Sequence, residues 1–242
     1  MQEEKLQKFF TDCGILSRRA AEKEIAAGKV KVNGEIAAIG QRIDPDVDIV
    51  EYNGKIIKKQ VNSSHVYVLL NKPTGYVTTL SDEKGRRCVL ELVSDVPARI
   101  YPVGRLDMNS QGLLLLTNDG ELTNRLTHPK HHVPKIYRVS VTGEVSDTLL
   151  DALRAPMEID SYRIMPVKVE LISKEPSLSV LEMTLFEGRN RQIRKMCEAV
   201  GLKIKKLERI AIGSIKLGSL PYGKWRYLND EEIKYLEGYE NA

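Results

Sequence analysis

The sequence predicts an α+β fold that is divided into a small N-terminal domain and a larger C-terminal domain. The stretch from Lys58 to Ser64 has few large apolar residues and two serines, a composition typical of an interdomain linker. Beyond it strand-like runs dominate, and they do not alternate regularly with helices as a doubly wound sheet requires. We therefore expect domains over 1–60 and 66–242, a linker over 61–65, and a mixed, largely antiparallel sheet with flanking helices in the second domain.

The first domain begins with a predicted pair of helices. Apolar residues recur at helical spacing from Leu6 to Cys13, and Gly14 ends that helix. Ser17 is placed to cap a second helix that runs to Ala27. Short strands follow over 29–32 and 48–52, with Asn33-Gly34 and Asn53-Gly54 as tight turns.

The second domain alternates unevenly between strands and helices. The predicted strands cover 66–70, 113–117, 136–142, 164–172 and 178–186. The predicted helices cover 122–126, 147–155, 191–200 and 230–236. Within 137–142 polar and apolar residues alternate, which indicates a strand with one exposed face.

The composition is that of a soluble globular protein. The 242 residues are 42% hydrophobic and 29% charged. No run of about 18 apolar residues could form a membrane span, and the N-terminus lacks the features of a signal peptide. Cys13, Cys88 and Cys197 are odd in number and far apart, which favours reduced thiols over disulfides or a zinc site. We expect a cytoplasmic, monomeric protein.

Asp107 is the candidate reactive residue. It lies on a loop before Gly112 and four consecutive leucines, whose boundaries at turn formers predict a strand buried on both faces. Reactive side chains are found disproportionately on loops that a rigid scaffold positions. One carboxylate is a weak signal, however, and capping of a helical turn is the commoner use of such an Asp. The residues alone leave both interpretations open.

Two basic segments flank this candidate site. Residues 186–209 contain eight Lys/Arg against three acids, and residues 122–138 contain four Lys/Arg, three of the four histidines and no acid. Charge runs usually form solvated faces, but two of them beside one site favour a phosphate-rich substrate. His128, His131 and His132 do not predict a metal site, because no nearby Cys or acid completes a ligand set.

Four ordered motifs resemble those of the RsuA/RluB group of pseudouridine synthases. The catalytic motif is matched by GRLD at 104–107 and SQGLLLLTNDG at 110–120. The others are NKPTG at 71–75, KIY at 135–137 and EGRNRQIRKM at 187–196. The resemblance implies an isomerase that detaches uracil from ribose at N1 and rejoins it through C5. Because this reaction needs no redox step or external group, no cofactor is expected.

The resemblance also implies roles for individual residues. Asp107 would be the nucleophile, attacking either C1′ of the sugar or C6 of the base while ionised. Arg194 would pair with it through two parallel hydrogen bonds, and Tyr137 would stack on the base and help proton transfer at C5. Arg105 would fill the space that the base leaves when it turns out of its stack. Lys72 is assigned to the RNA-binding residues, with a structural role as the alternative.

Arg194, Tyr137 and Arg105 could each have a structural role instead of a role in the reaction. Arg194 could be an arginine on the surface of a helix. Tyr137 could be a packing residue whose hydroxyl is satisfied, and Arg105 could form a salt bridge with a neighbouring acid. Trp225 is assigned to the core.

The N-terminal helices resemble the S4 RNA-binding domain, which is matched by GILSRRAAEKEI at 14–25 and GKVKVNG at 28–34. The resemblance implies a phosphate-facing surface made of Arg18, Arg19, Lys23, Lys29 and Lys31. Residues 1–60 are nearly neutral, with eleven Lys/Arg against ten acids. An exposed Arg18–Glu22 ion pair is therefore the alternative.

We expect ribosomal RNA or an assembling ribosomal subunit as the partner. No glycine-rich phosphate loop of the Walker or dinucleotide type occurs, so no nucleotide cofactor is expected. The sequence of residues 112–129 resembles that of the branch of the group that modifies large-subunit rRNA. The resemblance favours 23S rRNA as the target, with 16S rRNA as the alternative. A non-catalytic RNA-binding or ribosome-assembly protein is the rival, but such a protein has no need for Asp107, Tyr137 and Arg194 together.

Overall fold

The computed structural model describes residues 3–58, 65–80 and 82–238. The chain divides into two compact units, Met1–His65 and Val66–Ala242. Residues 61–64 of the predicted linker lie outside the described residues. Among the described residues no helix is long and apolar enough to cross a membrane.

The first unit packs two helices against small antiparallel sheets. Its elements are β1 (Glu4–Lys5), α1 (Leu6–Asp12), α2 (Arg18–Ala26), β2 (Val30–Val32), β3 (Glu35–Ile36), β4 (Arg42–Ile43), β5 (Val50–Tyr52) and β6 (Lys55–Ile57). The predicted cap of α2 is confirmed, because the Ala20 N–H donates to Ser17 Oγ at 3.2 Å. Asn33 and Asn53 have φ values of 52° and 51°, as tight Asn-Gly hairpin turns require.

The second unit contains a long sheet and four helices among its described residues. Its elements are β7 (Tyr67–Lys72), β8 (Tyr101–Pro102), β9 (Gln111–Thr117), α3 (Gly120–Thr127), β10 (Lys135–Thr142), α4 (Asp147–Arg154), β11 (Glu158–Ile159), β12 (Tyr162–Arg163), β13 (Lys168–Glu175), β14 (Leu178–Leu185), α5 (Gln192–Ala199), β15 (Ile204–Ile212), β16 (Ile215–Lys216), β17 (Trp225–Tyr227) and α6 (Asp230–Gly238). The predicted strand over 164–172 is wrong in its start, because β13 begins at Lys168.

The sheet of the second unit is mixed and largely antiparallel, which confirms the predicted fold class. Its strands follow the order β13-β14-β10-β15-β9-β7-β17, with β8 beside β9 and β16 beside β15. The β9–β15 pair is parallel, whereas the neighbouring β7–β9 and β10–β15 pairs are antiparallel. Strands β15 and β9 therefore lie at the centre of the sheet. Strand β9 carries part of the catalytic motif, and β15 carries the end of the basic segment 186–209.

The leucine strand is buried on both faces, as predicted. Leu113 and Leu115 point into a core that includes residues of α3 and α6. Leu114 and Leu116 point into a second core on the opposite face, and all four leucines are at most 3% exposed. Burying one such side chain contributes about 1.5–3 kcal/mol, so β9 is a rigid base for the loop before it.

Strand β15 was not predicted, although it lies at the centre of the sheet. Its sequence, IKKLERIAI, lacks a clean alternation of polar and apolar residues. A bulge adds to the irregularity, because Ile136 pairs with Ala211 while Tyr137 pairs with Arg209, which leaves Ile210 as an extra residue. The bulge places Arg209 on the same face of the sheet as Tyr137.

Candidate active site

The motifs that are separate in the sequence meet at one cavity of about 750 Å³. Its polar lining includes Arg105, Asp107, Lys135, Tyr137, Arg191 and Arg209. These side chains come from the loop before β9, from β10, from the loop before α5 and from β15. Arg194 does not line the cavity, and Lys72 lies beneath the loop that carries Asp107.

Asp107 lies at the edge of this cavity with its carboxylate half-exposed. Its nearest cation is Arg191, whose Nη1 lies 4.0 Å from Asp107 Oδ2. No described residue donates a hydrogen bond to this carboxylate, so Asp107 does not cap a helical turn. Its oxygen atoms therefore keep lone pairs that face the cavity, which a nucleophile needs.

Arg194 does not form the predicted two-pronged pair with Asp107, so that geometry is wrong. Its Nη2 donates instead to Asn109 O at 2.8 Å and to Ser110 Oγ at 3.3 Å. The reason lies at the start of α5, where Arg191 adopts a left-handed conformation and its own side chain reaches the carboxylate. Burial, and then the charge of Arg191, lower the pKa of Arg194, while Asp107 acts in the opposite direction.

The loop that carries Asp107 is held by its backbone. Each of the five carbonyl oxygens from residue 106 to residue 110 accepts a hydrogen bond from outside this segment, which we call the pinned turn. The donors to Leu106, Asp107, Met108, Asn109 and Ser110 are, in order, Thr78 Oγ1, Lys72 Nζ, the Gly75 N–H, Arg194 Nη2 and again Lys72 Nζ. The position of Asp107 is thus fixed independently of its side chain.

Lys72 is the central donor of this arrangement. Its Nζ donates to Pro73 O at 3.0 Å, Asp107 O at 3.1 Å and Ser110 O at 2.8 Å, which uses all three ammonium hydrogens. Burial lowers the pKa of Lys72 to about 8; Asp107 opposes this shift and Arg209 adds to it. The residue is 0% exposed. It cannot contact RNA phosphates, so its assignment to the RNA-binding residues is wrong.

Gly112 is required by the close approach of β9 and β15. Its φ is +101°, and a Cβ atom at this position would lie 2.2 Å from Arg209 O. Gly112 pairs with Arg209 in the parallel register of the two strands. A larger residue would push β15 away from the pinned turn, so the glycine keeps Arg209 beneath the cavity.

Arg209 is the residue of the site that sequence reasoning missed. It is 3% exposed, and its Nε donates to Leu113 O at 2.8 Å. Its Nη2 is buried and makes no hydrogen bond to a described residue. A buried charge without a counterion is costly, and such groups are concentrated at functional sites. The sequence signal that could have identified Arg209 is its position beside the apolar residues 210–212, after the last motif.

Tyr137 lies opposite Arg209 and packs against the two cores that meet at β10. It is half-buried and lines the cavity. Its hydroxyl makes no hydrogen bond to a described residue, so the alternative of a packing tyrosine with a satisfied hydroxyl is not what the structure shows. The ring is available to a base in the cavity.

Arg105 and the three histidines lie at the surface. Arg105 is exposed and forms no ion pair with a described residue, so the predicted salt-bridge alternative is absent from the described part of the chain. His128, His131 and His132 are exposed. Within the residues that the structure describes, no group of three or more His, Cys, Asp or Glu could hold a metal ion. Trp225 is half-buried, and its Nε1 donates to Asp95 Oδ1 at 2.9 Å.

The predicted phosphate-facing residues of the first unit are all exposed. Lys29 pairs with Glu24 at 3.0 Å. Glu22 accepts a hydrogen bond from Gln7 Nε2 and forms no ion pair with Arg18. Arg18, Arg19, Lys23 and Lys31 have no ion pair with any described residue, so their charges are available to an anionic partner.

Comparison with known proteins agrees with the motifs. Residues 66–199 match the RNA pseudouridylate synthase family and residues 5–49 match the S4 domain. The chain is 40% identical over 236 residues to ribosomal large subunit pseudouridine synthase B of Bacillus subtilis, which covers 96% of this chain and 95% of that protein. It is 38% identical over 229 residues to the dual-specificity RNA pseudouridine synthase RluF of Escherichia coli, which covers 95% and 77%.

The fold gives the same assignment. A crystal structure of a pseudouridylate synthase matches with a TM-score of 0.68 and 30% sequence identity, over 96% of this chain and 99% of that one. The similarity thus extends through both units. The chain belongs to the RNA pseudouridine synthases of the RsuA/RluB type, in which an S4 domain precedes the domain that isomerises uridine.

Proposed function

We propose that this enzyme converts a uridine of ribosomal RNA to pseudouridine, with Asp107 as the nucleophile and 23S rRNA as the target. The main support is the state of the carboxylates in the cavity. Asp82 is bound by Arg86, and Glu187 accepts from Gln192 and from the Met165 N–H. Asp107 alone among the described cavity carboxylates accepts no hydrogen bond, and its oxygen atoms are free to attack carbon.

The surrounding cations support an attack by an ionised carboxylate. Arg191 lies 4.0 Å from Asp107, and Lys72 and Arg209 place two further positive charges beneath the pinned turn. Opposite charges attract more strongly in a low-dielectric interior than in water. The attack is on C1′ or C6, and either route then needs the uracil ring to turn before C5 is joined to the sugar.

Base flipping is the next requirement, because a stacked uridine cannot reach Asp107. Arg105 is two residues from the nucleophile, exposed and without an ion pair to a described residue. Its guanidinium plane can stack on the bases that the flipped nucleotide leaves behind. Tyr137 provides an aromatic face for the flipped base inside the cavity.

The choice of 23S rRNA rests on a relative, and the exposed cations support an RNA partner in general. The Bacillus subtilis relative that matches over nearly its whole length carries a large-subunit name. Arg18, Arg19, Lys23 and Lys31 add free positive charge for backbone phosphates of a folded RNA. The Escherichia coli relative carries a dual-specificity name, so a second target is tested as well, and 16S rRNA is the alternative that the sequence leaves open.

The test uses unmodified 23S and 16S transcripts, each incubated with the wild-type enzyme and mapped by carbodiimide-dependent primer-extension stops. We expect one new stop in 23S rRNA. Asp107→Asn should lower the single-turnover rate by more than about a thousandfold, because the amide keeps the shape but not the nucleophile. RNA affinity should hold, since it comes mostly from phosphate contacts.

Asp151→Asn is the matched control, because this aspartate is exposed on α4 and its loss should change neither rate nor affinity. A new stop in 16S rRNA and none in 23S would overturn the target. An Asp107→Asn rate within tenfold of wild type would overturn the nucleophile.

A further inference from the structure

Pseudouridine formation moves a proton as well as a bond. The C1′–N1 bond breaks and the C1′–C5 bond forms, so C5 must lose its hydrogen and N1 must gain one. A side chain that alternates between its two protonation states at working pH is suited to this exchange. On the C1′ route Asp107 is released as the C1′–C5 bond forms, but a carboxylate is a weak base. Tyr137 can stack on the base and assist the transfer, and a second group with a more basic nitrogen is suited to take the C5 proton.

Lys135 has the geometry for this exchange. It lies two residues before Tyr137 on β10, so the two side chains share one face of the sheet. Both line the cavity with Asp107. The Lys135 Nζ donates to Val133 O at 3.0 Å and forms no ion pair with a described acid. The remaining positions of its nitrogen are open to a substrate.

The cavity around Lys135 contains more positive than negative side chains, with five arginines against three carboxylates. The charged or titratable groups that line it with Lys135 are Asp82, Arg86, Arg105, Asp107, His128, Tyr137, Glu187, Arg189, Arg191 and Arg209. Burial and, to a smaller extent, the charge of Arg209 together lower the pKa of Lys135 to about 8. With that value, roughly a tenth of the amine is neutral near pH 7, so both forms are populated.

Lys72 is an instructive contrast, because its pKa is also lowered to about 8. All three of its ammonium hydrogens are held by carbonyls, and it has no exposed surface. It cannot approach a substrate atom. Lys135 has a similarly lowered pKa, but it lines the cavity and its Nζ makes one hydrogen bond to a described residue, so it can approach a substrate.

Building on the proposed reaction, we propose that Lys135 is the proton-transfer residue of this enzyme. On the C1′ route, C5 displaces Asp107 from C1′, and the carboxylate leaves with the electron pair of its bond to carbon. The neutral amine then takes the C5 proton, the electron pair of the C5–H bond becomes the C5–C6 double bond, and the C6–N1 double bond closes onto N1, which takes a proton from the new ammonium. On the C6 route the same removal of the C5 proton expels Asp107 from C6, and N1 is protonated in the same way. The amine is regenerated, and no other reactant is consumed.

The test compares Lys135→Arg with Lys135→Met in single turnovers on RNA that carries protium or deuterium at C5 of the target uridine. Arginine keeps the charge but does not lose its proton in proteins. Both variants should therefore slow by about a hundredfold or more. The C5 isotope effect should rise above that of wild type, because C5–H cleavage becomes rate-limiting. Lys216→Arg, at an exposed lysine of β16, should react normally.

The outcomes separate proton transfer from other roles. A Lys135→Arg rate equal to wild type would overturn the proposal in favour of a fixed cation. Slow variants with an unchanged C5 isotope effect would also overturn it, because a structural role slows other steps. Activity of the wild type tests the proposed function, whereas the ratio of variant to wild type tests Lys135, so the two failures are distinguishable.

A measurement on the unmodified enzyme covers the case in which the variants fold poorly. Below about pH 8 the single-turnover rate of the wild type should rise with pH, because the amine must be neutral to accept a proton. Above that value the rate should level off. A flat profile between pH 6 and about 9 would overturn the proposal.

Discussion

The basic side chains of α2 and those beneath the active site carry the same charge in opposite surroundings. Arg18 and Lys23 are exposed and have no ion pair with a described residue. Lys72 and Arg209 are at most 3% exposed, and both donate to backbone carbonyls. A solvated charge is available to any nearby phosphate, whereas a buried one orients the groups around it. Burial and partners, more than the number of basic residues, decide what each charge does.

The largest effect is expected when the buried charge is removed. Lys72→Met leaves the carbonyls of Pro73, Asp107 and Ser110 without their donor, and each unsatisfied buried acceptor costs about 1–3 kcal/mol. Relief of a buried charge offsets part of this cost. We expect the free energy of unfolding to fall by about 2–4 kcal/mol and the turnover rate by at least about a hundredfold.

Urea denaturation and single-turnover kinetics measure the two effects. Lys234→Met, at an exposed lysine of α6, is the control and should change neither. If Lys72→Met kept both the normal stability and the normal rate, the pinned turn would not depend on its buried donor.

An intermediate effect is expected at Arg191, which is half-exposed yet close to Asp107. Its φ of 53° is a left-handed conformation that strains a non-glycine residue, and Gly would relieve that strain. Arg191→Gly should therefore raise the free energy of unfolding by up to about 1 kcal/mol. The same change removes the cation nearest to the Asp107 carboxylate and should lower turnover by about tenfold.

Thermal unfolding and single-turnover rates together test whether Arg191→Gly raises stability while it lowers turnover. Arg189→Gly, in the same loop but without a positive φ, should gain no stability. If Arg191→Gly lowered stability and left the rate intact, the arginine would serve folding and not catalysis.

The smallest effect on catalysis is expected from the exposed charges. Replacing Arg18, Arg19 and Lys23 by Gln should flatten the dependence of log affinity on log salt by up to ~3 units, about one for each lost phosphate contact. The rate at saturating RNA should hardly change. Lys29→Gln is the control, because its charge is already paired with Glu24 and should alter the salt slope less. An unaltered slope in the triple variant would mean that α2 does not face RNA.

Much of the fold could be predicted because its signals are local. The Ser17 cap, the two Asn-Gly turns and the leucine strand each follow from a few adjacent residues. Strand β15 could not be predicted in the same way. Its buried Glu208 and Arg209 contradict the usual apolar pattern of a central strand, and its bulge breaks the alternation. Both irregularities occur where the strand serves the cavity.

The candidate site was predicted in some of its members but not in its contacts. The motifs identified Arg105, Asp107 and Tyr137, because spacing along the chain is a property of sequence, whereas Arg209 lies beyond the last motif and was missed. Which arginine approaches Asp107 depends on one left-handed residue at the start of α5, and spacing does not reveal it. The burial of Lys72 depends on a strand end and a distant turn that come together only in the fold.

The pinned turn separates what must stay constant in this enzyme from what can vary. Its five carbonyl oxygens hold the backbone, while the side chains of Met108 and Asn109 point outward and are exposed. These two positions border Asp107 but contribute only main-chain atoms to its placement. Divergent enzymes of this design can therefore change the surface beside Asp107, and with it the RNA that fits there, without re-aiming its carboxylate.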